Sequence, residues 1–377
     1  MDSGLLLHLC APATWRMALA AGSLAPPSLL IEGFVHLSTP AQVQVPANER
    51  FTGRTDLIAL VIDPARLPGE LRFERPPHDN PADLRFPHHY GPVPANAVAA
   101  VVPYQPASDG RFANPVGLPA PTDLVARVRL FDRGLAQRRA AAVEPVIGGV
   151  AVLDPRFPAS YEHNTLWIDG PSNAATVAAE AERTLGGAGL THRRAVLDDP
   201  ATATALNDRG WLVQEMRLMI YNGAPTSAPT AQGSVDVVPV AHEIVSRLWE
   251  RSWQRDHPDF DDDTVRQLVD REPVADAVLR VVNLAVLDSR DEPIASTQLR
   301  IDGATAAIEA VMTDPAHRRA GLARALVLDA LARARAAGCD AVFLAAAADH
   351  WPYRWYHRLG FIDAGSRFEA IRSTTPD

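Results

Sequence analysis

The stretch EAVMTDPAHRRAGLARALVLDA, residues 309–330, decides how this chain is read. Its first part, IEAVM from Ile308, is short and apolar and is closed by Asp314 and Pro315, as a strand is. Beyond it, Leu322, Ala325, Leu326, Leu328 and Leu331 recur at helical spacing. Arg318, Gly321 and Ala323 therefore sit where a strand turns into a helix. A helix N-terminus presents unpaired amides and the positive end of the helix dipole, a place for a pyrophosphate. Gly321 lets the backbone approach such a group closely.

Two similar motifs are excluded. The chain contains no lysine, so GxxxxGK[ST] is absent. Ala320 and Ala323 break GxGxxG, and no βαβ unit surrounds the turn. Taken alone, RRAGLA is also compatible with an ordinary helix entry containing one glycine.

A chain of 377 residues with 47% hydrophobic composition predicts two or three domains at roughly 150 residues each; three are expected. A net charge of -9 argues against a nucleic-acid partner. Cys10 and Cys339 are too few for a disulfide framework or a cysteine metal site, and both read as small core residues. MDSGLLLHLCAPATW has no basic leader region, and no stretch is long and apolar enough to span a membrane. A cytoplasmic protein without a membrane partner is expected.

Proline- and small-residue-rich stretches at 103–123 and 222–234 divide the chain. The expected organisation is an accessory domain over 1–105, a linker at 106–122, a middle domain over 123–222, a linker at 223–233 and a C-terminal domain over 234–373. In the C-terminal segment, a strand at 235–240 precedes helices at 241–254 and 262–271. Strands LRVVNLAVLD and PIASTQLRI, joined by the polar turn SRDE, then lead to the motif, its helix and the buried strand AVFLAA. The middle segment repeats part of this plan. There a helix leads through Gly189 to HRRAVL, then a helix, Gly210 and Trp211; in the last segment a helix leads through Gly338 to AVFLAA, then a helix, Gly360 and Phe361. The glycine spacings are 21 (210 minus 189) and 22 (360 minus 338), which predicts a duplicated domain. The middle copy has no RxxGxA before its helix and is expected to cradle no pyrophosphate.

The C-terminal segment resembles the GNAT acyl-CoA N-acyltransferase superfamily, whose [QR]xxGx[GA] motif is matched by Arg318, Arg319, Ala320, Gly321, Leu322 and Ala323. A second family feature, a tyrosine before LGF, is present as YHRLGF, Tyr356 to Phe361. The resemblance implies a mixed central sheet flanked by helices in a multidomain α/β and α+β chain, with the middle domain a degenerate copy. It further implies acetyl-CoA as cosubstrate, no metal, and a small-molecule or peptide amine as acceptor. The backbone from Arg319 to Arg324 would hold the CoA pyrophosphate, and Val311 and Thr313 would pair with pantetheine. Tyr356 would protonate the departing thiolate, and the two substrates held side by side need little covalent help.

Glu309 is the candidate general base, placed by strand alternation on the face of Val311 and Thr313; a solvated carboxylate on a strand rim is the alternative. Asp349 stands where many relatives have an asparagine, so the resemblance implies a cofactor contact to pantetheine there, although in ionised form Asp349 accepts but does not donate hydrogen bonds. His350, Trp351 and Trp355 either line an acceptor pocket or pack. Asp259, Asp261, Asp262 and Asp263 either attract a cationic amine or cap a helix.

The N-terminal phrases EGFVHLSTPAQV and FPHHYGP resemble the family called domain of unknown function 952. That resemblance implies a small α+β domain of ADP-ribosyltransferase type, binding NAD between two small sheets. His8, His36, Ser38, His88 and Tyr90 are the candidate cleft residues; three histidines are also compatible with zinc, and structural histidines are the plainest reading of each. Two alternatives to an acyltransferase stay open: an acyl-CoA sensor or scaffold without turnover, and an N-terminal domain that binds or acts on NAD.

Overall fold

The computed structural model describes residues 4–75, 84–223 and 235–373. The second expected linker therefore lies, from residue 224 onward, outside the described residues.

The N-terminal part contains β1 (Leu6–Cys10), α1 (Pro12–Ala21), β2 (Ser23–Leu24), α2 (Pro27–Ile31), β3 (Val35–His36), α3 (Gln44–Arg50) and β4 (Ile58–Ile62). These are followed by β5 (Glu70–Glu74), β6 (Phe86–Tyr90), β7 (Val93–Pro94) and β8 (Val98–Pro103). Two small three-stranded sheets, β1-β4-β8 and β3-β6-β5, are joined by a bridge between Leu7 and Ser38. The proline-rich stretch after β8 is not a free linker. Phe112 is buried beside Tyr104, Asn48 holds the Phe112 backbone through bonds of 2.8 and 2.9 Å, and the Tyr104 hydroxyl donates to the Ala113 carbonyl at 2.8 Å. Two aromatic side chains in this stretch gain more from burial than its prolines lose in regular pairing.

The remainder of the chain builds one mixed sheet of eleven strands. Its middle segment supplies α4 (Leu124–Arg139), β9 (Ala142–Val146), β10 (Gly149–Leu153), β11 (Thr165–Ile168), α5 (Ala174–Ala181), β12 (His192–Leu197), α6 (Pro200–Asn207) and β13 (Leu212–Tyr221). The last segment supplies β14 (Val238–Val240), α7 (His242–Asp256), α8 (Asp262–Asp270), β15 (Arg280–Leu287), β16 (Pro293–Asp302) and β17 (Thr305–Thr313). It ends in α9 (Leu322–Ala336), β18 (Ala341–Ala347), α10 (Trp351–Arg358) and β19 (Phe361–Ser373).

The strand order is β14-β15-β16-β17-β18-β13-β19-β12-β11-β10-β9. Only β17–β18 and β11–β12 are parallel; the other neighbours are antiparallel. Apart from the edge strand β14, the directions read identically outward from the β13–β19 pair. Each segment's last strand lies against the other segment's buried parallel strand: β13 on β18, and β19 on β12. Gly189, Gly210, Gly338 and Gly360, whose spacing suggested a repeat, all adopt positive φ, at 75°, 82°, 83° and 97°. Left-handed backbone of this kind favours glycine.

The N-terminal domain is locked to this sheet through the turn between β16 and β17. Asp302, 2% exposed, accepts a 2.7 Å bond from Trp15 Nε1 and an ion pair from Arg138 on α4. Residues from all three segments thereby meet at one carboxylate. Removing a carboxylate from a buried pair strands the remaining charge and costs about 3–5 kcal/mol. Asp302→Asn is therefore expected to lower the thermal midpoint of the whole chain, with part of the loss regained when Arg138→Met is added. An unchanged midpoint in the single variant would contradict this role.

Candidate functional site

The turn from β17 into α9 is built to present amides. Arg319 adopts φ 67° without being glycine, and Gly321 forms the N-cap of α9 at φ 80° with no side-chain cap. The first-turn amides, Leu322 and Ala323 among them, are therefore not consumed by a capping oxygen as they are in most helices. The middle segment differs at the corresponding helix: Asn173 caps α5, accepting from the amides of Ala175 and Thr176 at 2.8 and 3.4 Å.

β17 pairs with β18 only from Thr305 to Ala307, so its later residues leave a free backbone edge facing the gap between the strands. A cavity of about 790 Å³ opens there, lined by Val311, Thr313, Arg318, Arg319, Gly321, Leu322, Ala323 and Arg324 from the motif and by Tyr356 from α10. Thr313 Oγ1 is buried beside it with no hydrogen-bond partner among the described residues. An uncapped helix terminus, a free strand edge and an unpartnered hydroxyl fit a pyrophosphate joined to an amide-bearing arm.

The sequence-based expectations divide here. The motif residues and Tyr356 share this cavity, as do Trp351 and Trp355. Ala320 lies on the exposed loop between lining residues and does not itself line it. Asp349 does not line it either: its side chain is 79% exposed, and its nearest ionic partner is His350 at 4.0 Å. The aspartate cluster resolves as a cap, with Asp261 accepting from the Thr264 amide at 2.8 Å and Asp262 and Asp263 in the first turn of α8.

Glu309 does not share a face with Val311 and Thr313. β17 bulges between Glu309 and Met312, with three residue steps opposite the two from Ser296 to Gln298, and Ala310 takes φ 52°. A bulge shifts the alternation of every later side chain. Thr297 Oγ1 secures it by donating to the Glu309 carbonyl at 2.8 Å. Glu309 instead lines a second cavity of about 330 Å³, and Met312 lines both. Burial pushes its carboxyl up to about 7, against the pull of Arg300. Tyr356, 7% exposed, is likewise raised by burial and then by the negative charge of Glu309, so its phenol holds its proton through neutral pH.

The second cavity contains residues that the sequence reading did not single out. Middle-segment Asp132, Arg139, Trp167 and Arg194 line it opposite Trp249, Arg271, Arg300 and Arg367. Arg194 and Arg300 are 5% and 9% exposed on strands, and a buried charge inside an apolar strand marks a polar cavity in sequence.

In the N-terminal domain His8, His36, His88 and Tyr90 do gather. His8 Nδ1 lies 2.9 Å from the His36 carbonyl, the rings of His36 and His88 are 5.1 Å apart, and Phe34 stacks on His88 at 4.0 Å. Glu74, absent from the sequence reading, joins His88 and Tyr90 at 2.8 and 2.9 Å. Ser38 serves through its backbone, exchanging bonds with Leu7. Among the described residues, no group of three histidine, cysteine or acidic side chains is placed to hold a metal ion.

Residues 242–361 match the family described as Acetyltransferase (GNAT) family, and residues 9–101 match Protein of unknown function (DUF952). The chain thus carries a DUF952 domain at its N-terminus and a GNAT acetyltransferase domain at its C-terminus. No curated protein matches. Similar solved structures include a GCN5-related N-acetyltransferase from Kribbella flavida, at 16% identity over 67% of this chain and 96% of that one, with a TM-score of 0.48. A functionally unknown conserved protein from Staphylococcus epidermidis is 14% identical over 60% and 91%, with a TM-score of 0.46. A Caulobacter crescentus protein is 28% identical over 29% and 93%, with a TM-score of 0.26.

A carboxylate at the helix cap would face the pyrophosphate of coenzyme A, while any non-glycine residue at this left-handed φ costs roughly 1–2 kcal/mol. Gly321→Glu is expected to weaken CoA binding at least tenfold in titration calorimetry, and Gly321→Ala to weaken it less. Equal affinity of wild type and Gly321→Glu would remove the cradle from this position.

Proposed function

We propose that the protein is an acetyl-CoA-dependent N-acyltransferase in which an amine attacks the thioester directly. The observation that carries this reading is a pair of neighbouring cavities that share Met312 in their lining, one lined also by Tyr356 and the motif, the other by Glu309. The amine enters from the Glu309 side. Glu309 takes a proton from the incoming ammonium and passes it to solvent, the nitrogen forms its bond to the acyl carbon, and as the carbon–sulfur bond breaks the nitrogen gives up its second proton to Glu309. The Tyr356 phenol gives its proton to the departing thiolate and is reprotonated from solvent. The free edge of β17 supplies amide donors toward the thioester oxygen as charge develops on it.

The same reading takes the middle segment as a degenerate copy of the GNAT domain. The matched strand directions about β13–β19 and the four positive-φ glycines support it. Asn173, by capping α5 with its own side chain, supports a single CoA site per chain.

Glu309 acts only when deprotonated, and its raised pKa places that change near 7. Activity is therefore expected to fall as pH drops through about 7 and to level off above it. Glu309→Gln is expected to lose about a hundredfold or more in kcat and to lose this acid limb. Tyr356→Phe is expected to lower kcat without moving the limb. A wild-type profile flat from pH 6 to 8 would exclude Glu309 as the base. Acetyl-CoA that raises the thermal midpoint while no amine in a broad panel releases CoA would favour a sensor.

A further inference from the structure

The charges around the acceptor cavity can be paired off. Arg367 pairs with Asp132 and, at 3.3 Å, with Glu369; Arg194 pairs with Glu369 at 2.8 Å. Arg271 pairs with Glu272 at 3.2 Å and Glu162 at 3.5 Å, and Arg300 pairs with Glu272 at 2.8 Å. Four guanidinium groups are thus matched to four carboxylates. Two lining groups remain: Glu309 and Arg139.

Among the described residues Arg139 makes no ion pair. Its contact is a long 3.5 Å bond from its terminal nitrogen to the Glu162 carbonyl. Among the described residues its Nε is buried without a partner, and so are Arg367 Nε and Trp167 Nε1, whose residues line this cavity and a smaller one beside it. Burial, and after it the nearby Arg300, lower the Arg139 guanidinium to about 10, which still leaves it charged at neutral pH. Buried donors without acceptors are costly, and the group that satisfies them is an acceptor of hydrogen bonds bearing negative charge. Trp249, Trp253, Leu135 and Leu268 add apolar side chains to the lining.

We propose that the acceptor is a small amine that also carries an anionic group, a carboxylate or a phosphate. Its nitrogen sits at Glu309 and its anion at Arg139. This rests on the acyltransferase reading and narrows it. A cavity of about 330 Å³ suits a molecule of amino-acid size rather than a protein surface. The middle segment, which supplies Arg139 and Trp167, would then select the acceptor that the GNAT domain acylates.

The test uses the full chain with acetyl-CoA and matched acceptors. Aromatic and aliphatic α-amino acids, ω-amino acids and aminoalkyl phosphates are each compared with the neutral amine of the same skeleton. At least one anionic series is expected to exceed its neutral partner tenfold or more in kcat/KM, and the better series tells carboxylate from phosphate. Arg139→Gln is expected to collapse that preference at least tenfold through KM, and Arg139→Lys to restore part of it. CoA affinity, read separately by calorimetry, reports whether the variants are folded. Neutral amines that equal or exceed every anionic partner, or a preference untouched by Arg139→Gln, would overturn the inference and leave the acyltransferase reading standing. If no amine turns over, calorimetry of the same pairs on the CoA-loaded chain decides, and equal binding of both members overturns it. If CoA itself fails to bind, both fall.

Discussion

The turn Asp302-Gly303-Ala304-Thr305 is the constraint on which the site depends. Asp302 takes Trp15 and Arg138; Arg127 on α4, 1% exposed, donates to the Ala304 carbonyl at 2.9 Å and to Thr305 Oγ1. Gly303 lies so close to β8 that an added Cβ would stand 2.2 Å from the Val98 carbonyl oxygen, and the Ala304 amide donates to that same oxygen at 2.8 Å. The turn is held on every side, and β17 begins at its end. A strand fixed at its start and paired to β18 for only three residues is free to diverge at a defined point. That divergence opens the cavity lined by the motif and Tyr356.

The bulge in β17 then divides the labour. Had alternation continued, Glu309 would face the same side as Val311 and Thr313 and both functions would crowd one cavity. The extra residue at Ala310 sends Glu309 to the other side, while Met312 remains common to both cavities. Left-handed backbone at an alanine is costly, and it persists only where surrounding contacts fix it, here the Thr297 bond to the Glu309 carbonyl. Burial raises both the Glu309 carboxyl, toward 7, and the Tyr356 phenol, and the charge of Glu309 adds to the rise at Tyr356.

What was legible in the sequence was local. The phosphate turn, the two helices before β15, the α9 boundaries and the glycine spacing all follow from short-range pattern, and each has its counterpart in the fold. The bulge was not legible, because alanine at position 310 carries no signal for φ above zero. Nor was the crossing of β13 and β19: register between strands some 150 residues apart is set by tertiary packing, which local periodicity does not encode. The wall of the second cavity was missed for the same reason. Arg139 and Trp167 lie far from the motif in sequence and share a cavity with Glu309 only because the two segments interlock. Asp349 was misplaced by analogy with an asparagine, whereas a charged side chain at that point finds better solvation outside the cavity.

Interlocking also bears on why a second segment without its own phosphate cradle is retained. Removing the middle segment would take β13 from beside β18 and leave a buried, apolar strand with an open edge. It would also remove α4, whose Asp132 pairs with Arg367, and β12, whose Arg194 pairs with Glu369 of β19. The GNAT domain alone completes neither its sheet nor the wall of the second cavity. Asn173 at the cap of α5 costs the chain nothing in this arrangement, because what the middle segment contributes lies at its strands and at the lining of that cavity rather than at a helix N-terminus.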